Sequence, residues 1–376
     1  MIITFARSSS INTYEDYCET SHFLTYNLGY LQEPNKKTVV GSATHLVLEC
    51  IAMCKKFIQE NPTAKEVIVY NPTIGEIKTT VEEMYLREEL SIREISEINK
   101  SRADKYTYKH NVQLPEQFTR MGRDFVQDLV KRCCYYYAEK SLETWEAVDF
   151  LNARNFVWMA LECDDGRYDP RNRTIVEPER EFNITFPDKW AKYEYTIGGE
   201  KISGQFGIKG TIDLITQTSP TEYEIVDWKT GQRINWGTGK KKDYAYLQED
   251  TQLMLYFFAA KHLYPDKDIF FTIFFIRDGG PYTISFDESH LKKMKNYLRT
   301  HFEKVKANVN PSMIHPMQQD FRCNKLCHFY KNKWKGSNRN MCRFIQDEIQ
   351  EIGMEKVIEL HKKPGFKLDT YSQPGT

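Results

Sequence analysis

The chain lacks a charge imbalance: Lys plus Arg and Asp plus Glu each number 52 in 376 residues. Net charge therefore gives no pointer to nucleic acid, and only a local basic patch is left open. No run of about 18 apolar residues is present, which speaks against a membrane span. The opening Met-Ile-Ile-Thr-Phe is too short for the apolar core of a signal peptide, so a soluble cytoplasmic protein is expected. There is no internal repeat, no low-complexity tract and no Gly-x-x-x-x-Gly-Lys-Ser/Thr loop, so any nucleotide-driven motor would be a separate polypeptide. Cysteine is present in an odd number, nine, in a chain too large to need disulfide staples. In a reducing compartment that favours buried thiols or metal ligands.

What is present is a chain of 40% hydrophobic and 28% charged residues, enough to bury a sizeable core and too apolar for disorder. Ser8-Ser9-Ser10 predicts a Ser-capped short helix carrying Ile11, Tyr14 and Cys18 near one face, and the apolar stretch from Gly41 onward predicts a second helix with a tight entry. From Thr80 to about Arg154 the pattern predicts several amphipathic helices. After Glu162 the texture turns to strands, at Phe182 to Phe186, Gly207 to Thr216 and Tyr223 to Lys229. A helix around Gln248 to His262, a strand at Asp268 to Arg277 and a helix from Asp287 to about Ala307 follow. The segment beyond Asn310 holds Cys323, Cys327 and Cys342 among basic and aromatic residues.

The most informative stretch is Glu224-Ile-Val-Asp-Trp-Lys-Thr-Gly231, an acid and a base inside a strand. Alternate strand residues share a face, so Asp227 and Lys229 point the same way, about 6.6 Å apart along the chain, with Val226 and Trp228 toward the core. Gly210-Thr-Ile-Asp213 puts another carboxylate on a preceding strand, and the short Thr216 to Glu222 connection predicts a hairpin. Two partly buried carboxylates repel each other unless a hard divalent cation lies between them. A neighbouring lysine can then orient water or stabilise charge on a phosphate. Taken alone, however, an Asp-x-Lys is a solvated ion pair in most sequences.

These residues resemble the PD-(D/E)XK nucleases and, within them, the RecB-like branch with its AddB-type and CRISPR-adaptation members. Asp213 and Asp227-Trp-Lys229-Thr-Gly231 are similar to the family's Asp and Asp-x-Lys-Thr-Gly strands. Gln252 and Tyr256 are similar to its following Gln-x-x-x-Tyr helix, and Gly41-Ser-Ala-Thr-His45 to its Gly-x-x-x-His helix. The resemblance implies that Asp213, Asp227 and His45 hold Mg²⁺ or Mn²⁺, that Lys229 is catalytic, and that Gln252 assists it. A Glu before the hairpin also recurs in the family, and Glu179 and Glu181 compete for that place.

Ser10, Tyr14 and Cys18 resemble the N-terminal stretch of the iron-sulfur members, with Cys323, Cys327 and Cys342 supplying the remaining ligands of a [4Fe-4S] cluster. Here Cys323-x-x-x-Cys327 is followed by fourteen residues before Cys342, where the family usually keeps its last three cysteines together. Four thiolates, or three with His22 or His328, also suit zinc. Cys50, Cys54, Cys133, Cys134 and Cys163 read as buried free thiols.

The implied fold is α/β: a restriction-endonuclease-like core with a central mixed β-sheet flanked by helices, a helical insertion and a Cys-ligated C-terminal segment. The expected organisation is an N-terminal part of the core at 1–79, the insertion at 80–160, the catalytic core at 161–310 and the cysteine segment at 311–376. The implied function is metal-dependent DNA exonuclease activity on ends or single strands, in recombination, repair or replication. The chain would be a free-standing, phage-type member working in a host cytoplasm, alongside a separate helicase or recombination protein and with no membrane. The rival reading is an inactive DNA-binding or assembly subunit that kept the fold. The stretches Asn235 to Lys242 and His328 to Arg339 are basic and aromatic, suited to phosphates and unpaired bases.

Overall fold

The protein is described from a computed structural model, covering residues 1–32, 36–96, 119–141, 143–234, 239–278, 280–312 and 322–368. The first part of the basic stretch at 235–242 lies outside the described residues. The chain forms two compact units, one from residues 34–180 and 211–286, the other from residues 1–33, 181–210 and 287–376.

In the first unit a 25-residue helix, Lys36–Glu60, buries Val40, Ala43, Val47, Cys50, Ile51 and Cys54 at helical spacing against the helices Arg123–Lys140 and Ala147–Glu162. Among the described residues this is the one helix long and apolar enough to cross a membrane, and most of its apolar window is buried. The sheet is mixed. Glu222–Lys229 pairs antiparallel with Gly207–Gln217 and parallel with Asp268–Phe275, which pairs antiparallel with Gly280–Ser285. The parallel pair is joined through the helix Thr251–Leu263, as parallel strands require a crossover. Leu214, Val226, Trp228 and Phe274 face the helical core together. The expected hairpin and its inward-facing Val226 and Trp228 are therefore present.

Two pairings go beyond the sequence expectation, and the second departs from it. Glu66–Asn71 and Gly75–Thr80 form a hairpin, its turn closed by Asn71 Oδ1 accepting from the Thr73 and Ile74 amides and by Gly75 at φ +77°. Within the Glu- and Lys-rich stretch expected to be helical, Arg87–Glu89 pairs with Thr119–Met121. The second pair is short and polar, so its own pattern does not display a strand, whereas Glu66–Asn71 carries Val67, Ile68, Val69 and Tyr70, which favour one.

In the second unit the serines lie inside the first helix, Ser8–Asn12, instead of capping it. Arg7 occupies the cap, its amide donating to Ser10 Oγ at 2.8 Å. A wide turn at Thr13–Tyr17 leads to the helix Glu19–Tyr26, whose cap is Cys18, with Sγ accepting from the Ser21 amide. Lys192–Ile197 and Glu200–Gln205 make another hairpin, and Glu288–Ala307 starts at its cap Asp287. Phe5 and Ala6 pair in parallel with Gly207 and Ile208. The cysteine segment contains two helices, Met341–Ile352, which carries Cys342, and Met354–His361.

Candidate active site

The last paired residues of the central hairpin are Val226 and Leu214, one step short of Asp227 and Asp213. Beyond that point the Trp228 amide donates to Asp213 Oδ2 at 3.0 Å, so a carboxylate takes the place of a ladder carbonyl. Asp227 is 1% exposed, and Lys229 Nζ lies 2.9 Å from its Oδ1 and 2.6 Å from its Oδ2. Strand alternation puts the apolar residues on one face and this ion pair on the other.

Two helices bring the remaining groups. His45 Nδ1 lies 3.3 Å from Asp213 Oδ2. One turn earlier in the same helix, a Cβ on Gly41 would stand 2.5 Å from Thr230 Oγ1, so glycine allows the end of the Lys229 strand to approach the helix closely. On the other helix, Asp250 caps the first turn by accepting from the Gln252 and Leu253 amides. Gln252 Nε2 then donates to Tyr256 Oη at 3.0 Å and reaches Asp227 Oδ1 at 3.4 Å. His45, Asp213, Asp227, Lys229, Gln252 and Tyr256 thus form one connected set.

Two carboxylates extend it. Glu179 is pushed up to about 9, by burial first and then by Asp213, Glu49 and Asp227, which places it beside them. Glu181, its competitor in the sequence, is exposed. Glu49, one turn after His45, was not singled out in the sequence. It accepts from Asn71 Nδ2 at 2.8 Å, and its carboxyl is raised by burial and by Asp213. The His45-x-x-x-Glu49 spacing, which puts both on one helix face, is the signal that would have found it.

The electrostatics describe an excess of negative charge. Asp227 is pushed up to about 6 by burial, against the pull of Lys229 and with the push of Asp213. Asp213 is held below the usual carboxylate range: burial works against ionisation, but His45, Lys229 and the Trp228 amide outweigh it. Burial opposes the charging of His45 and Lys229, yet Asp213 raises the first and Asp227 with Asp213 raises the second.

The four cysteines of the second unit are electrostatic neighbours. Cys342 is pushed up to about 12 by burial and then by Cys327, Cys18 and Cys323. Tyr17 is raised by burial and by Cys327, to which it also hydrogen-bonds, with Cys18 and Cys323 adding to the effect. The fourteen residues before Cys342 fold back on themselves: Lys333 bridges Asn340, and the Met341 amide donates to Asn332 O at 3.0 Å. The long gap is therefore closed at its base, which returns Cys342 to the neighbourhood of Cys327.

Acidic residues converge on a lysine at the end of a sheet hairpin, with a histidine and a glutamine from flanking helices, the kinds of group that phosphodiester hydrolysis can use. The family model of the PD-(D/E)XK nuclease superfamily matches residues 8–331, and the chain belongs to that superfamily. A solved structure, a "putative exonuclease" from Eubacterium rectale, is similar at 12% identity and a TM-score of 0.35, over 87% of each chain. Comparison with curated proteins gives no match.

Nucleases of this superfamily generally use Mg²⁺ or Mn²⁺. Hard oxygen donors whose ionisation is disfavoured until a cation offsets it fit such an ion by chemistry, as the raised Glu179 and Asp227 carboxyls show. Among the described residues, no three His, Cys, Asp or Glu side chains already stand as a ready-made metal-binding group.

Proposed function

We propose that the chain is a metal-dependent deoxyribonuclease of the RecB-like branch that digests DNA from its ends. The observation that supports this best is the meeting of Asp213, Asp227 and Lys229 at the end of one hairpin, joined by His45 and Gln252 from two helices. Asp213, Asp227 and His45 would hold Mg²⁺ or Mn²⁺, with Glu179 as a further carboxylate. When bound, the ion supplies Lewis acidity and a more acidic water.

The protein groups have separable tasks. Lys229 stays charged at neutral pH because Asp227 raises it, and it offers that charge where a phosphate gains negative charge in the transition state. Trp228 fixes Asp213 through its amide, while its buried ring holds the strand from behind. Gln252 is a positioning residue, bridging Asp227 and Tyr256.

The test is hydrolysis of end-labelled linear DNA with Mg²⁺ or Mn²⁺. Wild-type degradation is expected, with a loss of roughly 10²-fold or more in both Asp227→Ala and Lys229→Ala. Undiminished activity in both variants overturns the site assignment. Cutting of a covalently closed circle in the same assay overturns the exonuclease mode.

We further infer a [4Fe-4S] cluster on Cys18, Cys323, Cys327 and Cys342, supported by their mutual electrostatic neighbourhood, with zinc as the alternative. The lack of a nucleotide-binding loop supports a separate helicase or recombination partner. A role in recombination, repair or replication, in the cytoplasm and for a phage-type protein in that of its host, follows from the same reading.

A further inference from the structure

From Lys331 to Arg343 the chain carries five cations, Lys331, Lys333, Lys335, Arg339 and Arg343, and no Asp or Glu. The loop within this stretch is well built. The Trp334 amide donates to Arg339 O at 3.0 Å, the Ser337 amide to Trp334 O at 2.9 Å, and Gly336 turns the chain at φ +80°. The Trp334 ring is stacked on Phe344 with centroids 5.0 Å apart and planes at 8°, and Tyr30 and His361 meet it edge-on at 5.4 and 5.1 Å. Phe329 is fully buried.

The aromatics therefore hold the loop from inside, and the cations are left outside. Lys331, Lys333, Lys335 and Arg339 are all exposed. Arg339 is engaged by Asp347 at 2.6 Å, and Lys331 Nζ by Lys325 O at 2.9 Å. Lys333 and Lys335 have no ion-pair partner among the described residues. Between Cys327 and Cys342 Phe329 is buried and Tyr330 and Trp334 are half-buried, so the lysines are the most exposed groups the loop presents.

We propose that this loop is a sequence-independent grip on the DNA sugar-phosphate backbone, made by Lys333 and Lys335 and pre-formed by the Trp334 anchor. It rests on the nuclease reading only for the choice of DNA as the polyanion. Because the loop reads phosphates and not bases, it holds single-stranded and duplex DNA alike. Of the phosphate gripping and base stacking expected for His328 to Arg339, the proposal keeps the first, since Phe329 is buried and Trp334 packs on Phe344, Tyr30 and His361.

The test is fluorescence anisotropy of labelled single-stranded and duplex DNA with EDTA present, on the full chain, across a salt series. Lys333→Ala/Lys335→Ala is compared with wild type and with a charge-matched control, Lys78→Ala/Lys131→Ala. The slope of log affinity against log salt should become shallower in the loop variant by about 1.8 on duplex and about 1.4 on single-stranded DNA, from two lost phosphate contacts, and stay at the wild-type value in the control. An unchanged slope overturns the proposal, as does a loss confined to single-stranded DNA. Binding of phosphatidylserine vesicles through the same two lysines, with DNA binding unaffected, also overturns it. The outcome is separable from the nuclease reading: a protein that cuts nothing can still show the slope change, and an active nuclease can lack it.

Discussion

Glu179 sits at φ +45°, a left-handed conformation that costs a residue with a side chain about 1–2 kcal/mol. The kink breaks the two-residue alternation of its strand, so that Glu179 lies within electrostatic range of the Asp213 and Asp227 carboxylates while Glu181 is exposed. With its carboxyl pushed up to about 9, Glu179 carries a proton at neutral pH in the cation-free protein. Glu179→Gln mimics that protonated form. We expect its melting temperature to stay within about 2 °C of wild type, a change below roughly 1 kcal/mol, while Mg²⁺-dependent cleavage falls about 10-fold or more. Thermal unfolding in EDTA and a cleavage time course check the two arms, and wild-type cleavage would remove Glu179 from the working site.

At the scale of elements, the contact of the Lys36–Glu60 helix with the end of the Lys229 strand depends on Gly41. Gly→Ala inside a helix ordinarily stabilises by roughly 0.5–1 kcal/mol. Here the new Cβ meets Thr230 Oγ1 at 2.5 Å, and rotating a β-branched side chain disturbs the residue after Lys229. Gly41→Ala should thus keep or raise the melting temperature while lowering the cleavage rate roughly 3- to 10-fold. Adding Thr230→Ala should restore much of that rate, and a purely additive double mutant would sever the contact from catalysis.

The helix Glu19–Tyr26 carries a pH dependence of its own. His22 is 2% exposed between Tyr14 and Tyr26, and is pushed down to about 3 by burial, then by His301 and the Met1 amine, with Glu15 opposing. Its pKa is lower folded than unfolded, so the unfolded chain takes up a proton that the fold refuses. The stability from neutral His22 is complete above about pH 6.5 and is lost as pH falls toward about 3, at most about 5 kcal/mol from this group. Denaturant unfolding between pH 7 and 4 should show a shallower decline in His22→Phe than in wild type. Equal slopes would refute the assignment.

On the scale of the whole molecule, residues far apart in the chain share one unit. Glu15 reaches His301 at 2.9 Å, Glu19 accepts from Asn308 at 3.0 Å, and the Thr20 amide donates to Ser312 O at 3.2 Å. Cys18 and the three C-terminal cysteines belong to this same unit. A cluster there would close a loop of some 300 residues, where cross-linking restricts the unfolded chain strongly. The purified protein should be brown, absorbing broadly at about 400 nm. Cys342→Ser should lose the colour together with several degrees of melting temperature. A colourless protein prepared anaerobically with stoichiometric zinc would replace iron with zinc.

The sequence by itself determined the parts whose chemistry is local. The alternation around Asp227 and Lys229, the short link that makes a hairpin with the Asp213 strand, and the four-residue spacing of Gln252 and Tyr256 follow from strand and helix periods. Only the tertiary structure decided what depends on contacts distant along the chain. It set Glu179 apart from Glu181 through a backbone kink, added Glu49 in the electrostatic range of Asp213, and packed Trp334 on Phe344, Tyr30 and His361. The hairpin at 66–80 is by contrast a local feature, its β-branched and aromatic run at 67–70 meeting the Asn71 to Gly75 turn, whereas the pairing of Arg87–Glu89 with Thr119–Met121 joins short polar strands distant along the chain.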